Sequence, residues 1–258
     1  MQDLWRKYTD IIAGMLDGIG KFVVMTRDVF LHIMVFRIHP YNFKEQLFLV
    51  GSKSIFIVLL TAFVIGMVFS LQITDTFTKF GGSSVIGGVL SLAMLRELAP
   101  VVSAIVFAGR VGSSISAEIS SMKVTQQLDA LRVMATSPVY YLAVPRVLAS
   151  AIMLPLLTAF ADIVSILGGY FVAVTWKGTS SGAFTSSSQE LLDMSDITAS
   201  LVKGVCFGIA IALISCYMGF YSEQGAKGVG ISTTKAVVYS LVAIFILNYF
   251  LTSWLFFH

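Results

Sequence analysis

The sequence predicts an all-α integral membrane protein, with about five transmembrane helices preceded by an N-terminal amphipathic helix in the membrane interface. Two observations carry this. Hydrophobic residues make up 57% of the chain and charged residues only 12%, against roughly 25% charged in a soluble domain. The apolar residues also fall in long runs, and none alternates apolar with polar positions over the ~10 residues of a membrane β-strand. The net charge of +3 is spread along the chain without a basic run, so nucleic acid is not an expected partner.

The N-terminal element comes first. Leu4, Tyr8, Ile11, Ile12, Met15, Leu16, Ile19, Phe22 and Val23 recur at helical spacing, with Asp3, Arg6, Lys7, Asp10, Asp17 and Lys21 between them. This is the pattern of a helix lying in the interface, or of one packed on a soluble partner. Residues 1–46 are therefore read as an amphipathic interfacial segment and residues 47–258 as the transmembrane domain.

The spans follow in order: Ile55 to Leu71, beginning as early as Leu47; Ser84 to Ala108; Val147 to Trp176; Ile197 to Phe220; and Ala236 to Phe257. Each is long enough, or nearly so, for the about 20 residues a hydrocarbon core requires. The first is marginal and leaves crossing or re-entry open. Thirteen lysines and arginines lie before the first span or in the connections around 110–146 and 221–235, while the opposite connections carry only Lys79 and Lys177. This places the N-terminus in the cytoplasm and His258 on the far side. The first 50 residues are too charged to hold a signal-peptide core, so the first span is expected to serve as its own uncleaved insertion signal.

Between the second and third spans, Ile115, Ile119, Met122, Leu128, Leu131 and Met134 alternate with Glu118, Lys123, Gln126, Gln127, Asp129 and Arg132. One amphipathic cytoplasmic helix is predicted over about 114–135, stopped by Pro138. Periodicity alone leaves it a connector or a docking element.

The stretch LAMLRELAP sets Arg96 beside Glu97 inside the second span, which places both near mid-membrane. A lone charge there costs about 2.5 to 3.5 kcal/mol on insertion scales. The two cannot simply stack, since neighbours on a helix point about 100° apart, so partners must come from another helix, water or a ligand. Pro100 removes the amide that would bond the Arg96 carbonyl, which leaves a polar carbonyl at the same level. Arg96 is suited to a lipid phosphate, with Glu97 holding it or bonding the rest of the headgroup; a structural ion pair across a dimer is the alternative.

Fewer features mark the other positions. Asp162 in the third span has no matched base and is expected to hydrogen-bond between helices, and Gly204 and Gly208 form a GxxxG that permits close packing. Cys206 and Cys216 would stand about 15 Å apart on one helix and are read as packing residues. His32, His39 and His258 form no metal constellation, so no metal is expected. Neither Gly20-Lys21 nor Lys227-Gly228 completes a Walker A pattern.

Several of these stretches resemble the MlaE (YrbE) permeases of lipid-transporting ABC systems. They are LRELAP, then VFAGRVGSSISAEISSMKVTQQLDALRVMATSPVYYLAVPRVLA, LGGYFV and GAKGVGISTTKAVV. The resemblance runs over nearly the whole chain and is weakest in the first 40 residues. It implies a homodimer in the bacterial inner membrane that moves phospholipid to or from a periplasmic MCE-domain (MlaD-like) hexamer and maintains outer-membrane lipid asymmetry. A cytoplasmic MlaF-like ATPase, with a STAS-domain MlaB-like subunit, would bind ATP and Mg; this chain would carry no cofactor and no catalytic residue. Glu118, Met122, Gln126, Leu128, Asp129, Leu131 and Arg132 would belong to the coupling helix that docks on the ATPase. Arg96 and Glu97 would line the lipid cavity between protomers. Leu71, Phe77 and Phe80 would form its acyl-chain wall, although aromatics at this level also serve as interface anchors. An ion-coupled secondary lipid transporter, with Glu97 and Asp162 as coupling acids, is the alternative, but five spans do not divide into the related halves that such carriers favour.

Overall fold

The computed structural model describes residues 2–34 and 40–256, with side chains from 16 onward in the first stretch and from 41 in the second. The predicted apolar positions Leu4 to Met15 therefore lie outside the described side chains, as His258 lies outside the described residues. Helix α1 spans Gln2–Met34 and α2 spans Pro40–Gly51. A turn at 52–54 leads to α3, Ile55–Lys79. Helix α4 runs from Ser83 to Val124, α5 from Gln127 to Val133, α6 from Val139 to Trp176, α7 from Ser181 to Leu191, α8 from Met194 to Phe220, and α9 from Ala226 to Phe256. No strand occurs among the described residues.

Five helical stretches are long and apolar enough to cross a membrane: Tyr41–Lys79, Ser83–Val124, Val139–Trp176, Met194–Phe220 and Ala226–Phe256. The first four contain the whole runs expected from sequence, and the fifth contains Ala236 to Phe256, its last residue Phe257 lying outside the described residues. Helix α3 alone has 25 residues, more than the about 20 that a hydrocarbon core requires, and α2 leads into it through the turn at 52–54.

Helix α6 is the centre of the bundle, with α3 and α8 along it and α2 and α4 at its flanks. Small residues set those contacts. A Cβ on Gly208 would stand 2.5 Å from the Ser150 carbonyl oxygen, and one on Gly204 would stand 2.8 Å from the Pro155 Cα. The GxxxG of the fourth span therefore brings α8 against the backbone of α6 at its proline. Ser200 donates to the Asp162 carboxylate at 2.8 Å across the same pair of helices, the interhelical bond expected of that acid. Cys216 is buried as a packing residue, and Cys206 is partly exposed and free. Helix α9 packs on α8 and the end of α4, leaving Tyr239, Phe245, Ile246, Tyr249 and Trp254 exposed on its outer face.

The cytoplasmic connection departs from expectation. The single helix predicted over 114–135 is two: α4 continues to Val124, and α5 occupies Gln127–Val133. Gln126 sits between them at φ 61°, the left-handed position that commonly ends a helix. The Thr125 hydroxyl donates to the Ser121 carbonyl at 3.0 Å, a bond that competes with continued helix. Ala135, at φ 55°, closes α5 in turn. Pro138 therefore does not stop this helix. It caps the start of α6, where a proline needs no helical donor.

Candidate functional site

Two π-helical turns interrupt α4, Met94–Leu98 and Ala108–Gly112. The first follows from Pro100. With no amide to offer the Arg96 carbonyl, the chain widens by one residue, and the Ala99 amide reaches back to Met94. The carbonyl of Arg96 is thereby free to accept another donor, and Lys203 of α8 supplies it at 2.5 Å.

Around this turn a partly buried polar network joins three helices. The Lys203 ammonium, on a side chain with no exposed surface, also donates to Glu97 at 2.9 Å and to the Thr252 hydroxyl at 2.8 Å. Glu97 accepts from Asn248 at 2.7 Å and from Thr252 at 2.7 Å. Arg96 points another way: its Nε donates to Asp196 at 2.6 Å, and its guanidinium lies 4.5 Å from the ring centroid of Phe256. Asp196 is fully buried and also accepts the Asp193 amide at 3.1 Å, completing the capping box of α8. The two charges of the motif thus have separate partners within one chain, and Glu97 does not hold Arg96.

The network also fixes where the cluster stands along the bundle. Asp196 lies in the first turn of α8 and Lys203 about 10 Å further along, while Thr252 and Phe256 belong to the last turns of α9. The ionic cluster therefore stands toward the α7-bearing end of the bundle rather than at its middle. The first residues of α4 are covered by α7, which Gly87 and Gly88 allow to approach closely.

A recess of about 410 Å³ opens beside the cluster, lined by Glu97, Phe245, Asn248, Tyr249, Thr252 and Ser253. The Arg96 side chain keeps 34% exposure, and its terminal guanidinium nitrogens have no protein partner among the described residues. Leu71, Phe77 and Phe80 are not among the lining residues. Phe80 is 86% exposed at the end of α3, where an Asp75–Lys177 ion pair at 2.5 Å ties α3 to α6.

The residues assigned to coupling divide by direction. Met122, Leu128 and Leu131 pack inward against the core, Leu128 being buried. Glu118 is held at 2.8 Å by the buried Arg146 of α6. Gln126, Asp129 and Arg132 are exposed, the latter two paired at 3.1 Å, and Val133 and Met134 beside them are 89% and 71% exposed.

Asp196 and Lys203 escaped the sequence reading. Lys203 carries the same signal that singled out Arg96, a lone charge in an apolar span. Among the described residues no cluster of His, Cys, Asp and Glu has the makeup of a metal site.

Comparison with known proteins identifies this architecture. The family model Permease MlaE matches residues 43–254. The chain belongs to the MlaE permease family. A probable ABC transporter permease of Synechocystis sp. is 48% identical over 233 residues, 90% of this chain and 88% of its own. One from Rickettsia bellii is 40% identical over 236 residues, 92% of this chain and 91% of its own. The chloroplastic protein TRIGALACTOSYLDIACYLGLYCEROL 1 of Arabidopsis thaliana is 42% identical over 233 residues, 90% of this chain and 67% of its own. This MlaE permease is thus a multi-pass, non-catalytic membrane subunit of an ABC transporter, which works with an ATPase on another chain.

Proposed function

We propose that this permease moves phospholipid as a homodimer in the bacterial inner membrane, with its N-terminus cytoplasmic and its C-terminus periplasmic. The observation that carries the reading is the Arg96 guanidinium, held by one nitrogen on Asp196 and by the Phe256 ring, with its terminal donors unpaired among the described residues, while its neighbour Glu97, not Arg96 itself, lines the recess walled by Phe245 and Tyr249. A forked cation next to apolar rings suits a phosphate joined to acyl chains. The Arabidopsis relative, whose name is that of a glycerolipid, supports a lipid substrate.

In this reading an MlaF-like ATPase with an MlaB-like STAS subunit binds ATP and Mg and docks on α5 and the end of α4. An MlaD-like MCE hexamer receives or delivers lipid above the cluster, and the system maintains outer-membrane asymmetry. Leu71, Phe77 and Phe80 extend the apolar wall upward from α3. Membership in an ABC permease family leaves the ion-coupled alternative without support.

The test is mass spectrometry of lipid retained by the gently purified permease–ATPase complex, wild type against Arg96→Ala. Phospholipid lost from the variant while the ATPase copurifies supports the reading. Equal lipid occupancy and flux in both would reduce Arg96 to a structural ion.

A further inference from the structure

A second cationic recess lies at the opposite end of α4. It encloses about 200 Å³ between α2 and α4 and is lined by Gln46, Leu49, Val50, Lys53, Arg110, Ser114 and Glu118 among others. Arg110 stands about 21 Å along α4 from Arg96, at the second π-helical turn, Ala108–Gly112. One of its terminal nitrogens donates to the buried Ser54 hydroxyl at 3.0 Å, which fixes the guanidinium against the α2–α3 turn. No acid pairs with Arg110 or with the exposed Lys53 among the described residues. The one carboxylate on the wall, Glu118, already meets the Arg146 guanidinium at 2.8 Å.

We infer that Lys53 and Arg110 form a phosphate-binding site, separate from the Arg96 recess, at the end of the bundle that carries α5. Two cations without counter-ions among the described residues, one of them anchored, line a recess of about 200 Å³ with room for a phosphate group, and Gln46 and Ser114 add neutral hydrogen-bonding groups. Leu49, Val50, Val111 and Ile115 complete the wall, so the site combines charge with apolar surface, as a headgroup pocket between membrane helices does. The chemistry is that of an anionic phosphate ester or of free phosphate. Assignment to the cytoplasmic leaflet rests on the orientation proposed above; binding itself does not.

The experiment uses the permease–ATPase complex in nanodiscs of phosphatidylcholine doped with phosphatidylglycerol, with retained lipid counted by native mass spectrometry. Inorganic phosphate is titrated onto the lipid-depleted complex in parallel. Lys53→Gln and Arg110→Gln should each weaken phosphatidylglycerol retention roughly tenfold, about the factor that one charge-assisted bond supplies. Arg110→Lys should keep part of it. Arg96→Ala should leave this lipid in place, which separates failure here from failure of the transport-cavity reading. Lys53 is exposed and makes no bond among the described residues, so its variant tests charge without disturbing packing. Retention unchanged but phosphate binding lost in the variants would assign the site to free phosphate. Wild-type behaviour of both variants toward both probes overturns the site.

Discussion

Lys203 donates to the backbone carbonyl of Arg96, the carbonyl that Pro100 leaves without a helical amide. One ammonium therefore closes a gap in α4 and neutralises Glu97 at 2.9 Å. Lys203→Met should destabilise the protein in detergent, since it leaves the Arg96 carbonyl without a donor and the Glu97 carboxylate without its cation, held only by the neutral donors Asn248 and Thr252. Removing one partner of a fully buried pair costs about 3 to 5 kcal/mol; Glu97 is 38% exposed, so the loss should fall below that range. The double variant Lys203→Met/Glu97→Leu should melt closer to wild type than the single one does. Equal melting of the single variant and wild type would show that the pair contributes nothing.

Asp196 serves two partners at once, the Asp193 amide and the Arg96 Nε. Asp196→Asn keeps a side-chain oxygen for the cap but removes the charge facing Arg96. Stability should fall by about 1 kcal/mol, the scale of a lost cap or a weakened bond. Lipid retention should fall with it, because Arg96 loses the group that aims it. Asp196→Ala should cost more stability, since it removes the cap as well. A drop in thermal stability with unchanged lipid occupancy would confine Asp196 to capping.

The spans were legible because twenty-odd apolar residues have few other fates, and the freed Arg96 carbonyl was legible because the effect of Pro100 is local. Its partner was not, since Lys203 lies 107 residues away and only packing of α8 on α4 brings it close. Asp196 was hidden differently: in DMSDITAS it reads as part of a polar helix start, which it also is. The break at Gln126 has neither glycine nor proline to announce it, and the sequence TQQ continues an amphipathic pattern through a residue at φ 61°. Direction along α5 was lost with it, so buried Leu128 and exposed Asp129 were read together as one docking surface.

That division decides which residue of α5 can test ATPase docking. Leu128 is 4% exposed and belongs to the core, so Leu128→Asp should unfold the connection and cannot report on docking alone. Val133, 89% exposed at the end of α5, is the better probe. Val133→Asp should leave the stability within about 0.5 kcal/mol of wild type, as surface changes do, while reducing copurified ATPase several-fold. Undiminished copurification would move the docking surface off α5.

Two glycines of long helices should respond oppositely to the same change. A Cβ at Gly208 would meet the Ser150 carbonyl oxygen at 2.5 Å, so Gly208→Ala must push α8 away from the backbone of α6. The expected loss is about 1 to 3 kcal/mol, as for an overpacked core. Gly230, near the start of α9, has nothing within 4 Å of the corresponding point. There alanine only restricts the unfolded chain and favours helix, so Gly230→Ala should stabilise by up to about 1 kcal/mol. Thermal melts of the two variants in one detergent decide the matter: a neutral Gly208→Ala would mean that the α6–α8 contact is looser than the backbone approach requires, and a destabilised Gly230→Ala would mean that this face of α9 is not open.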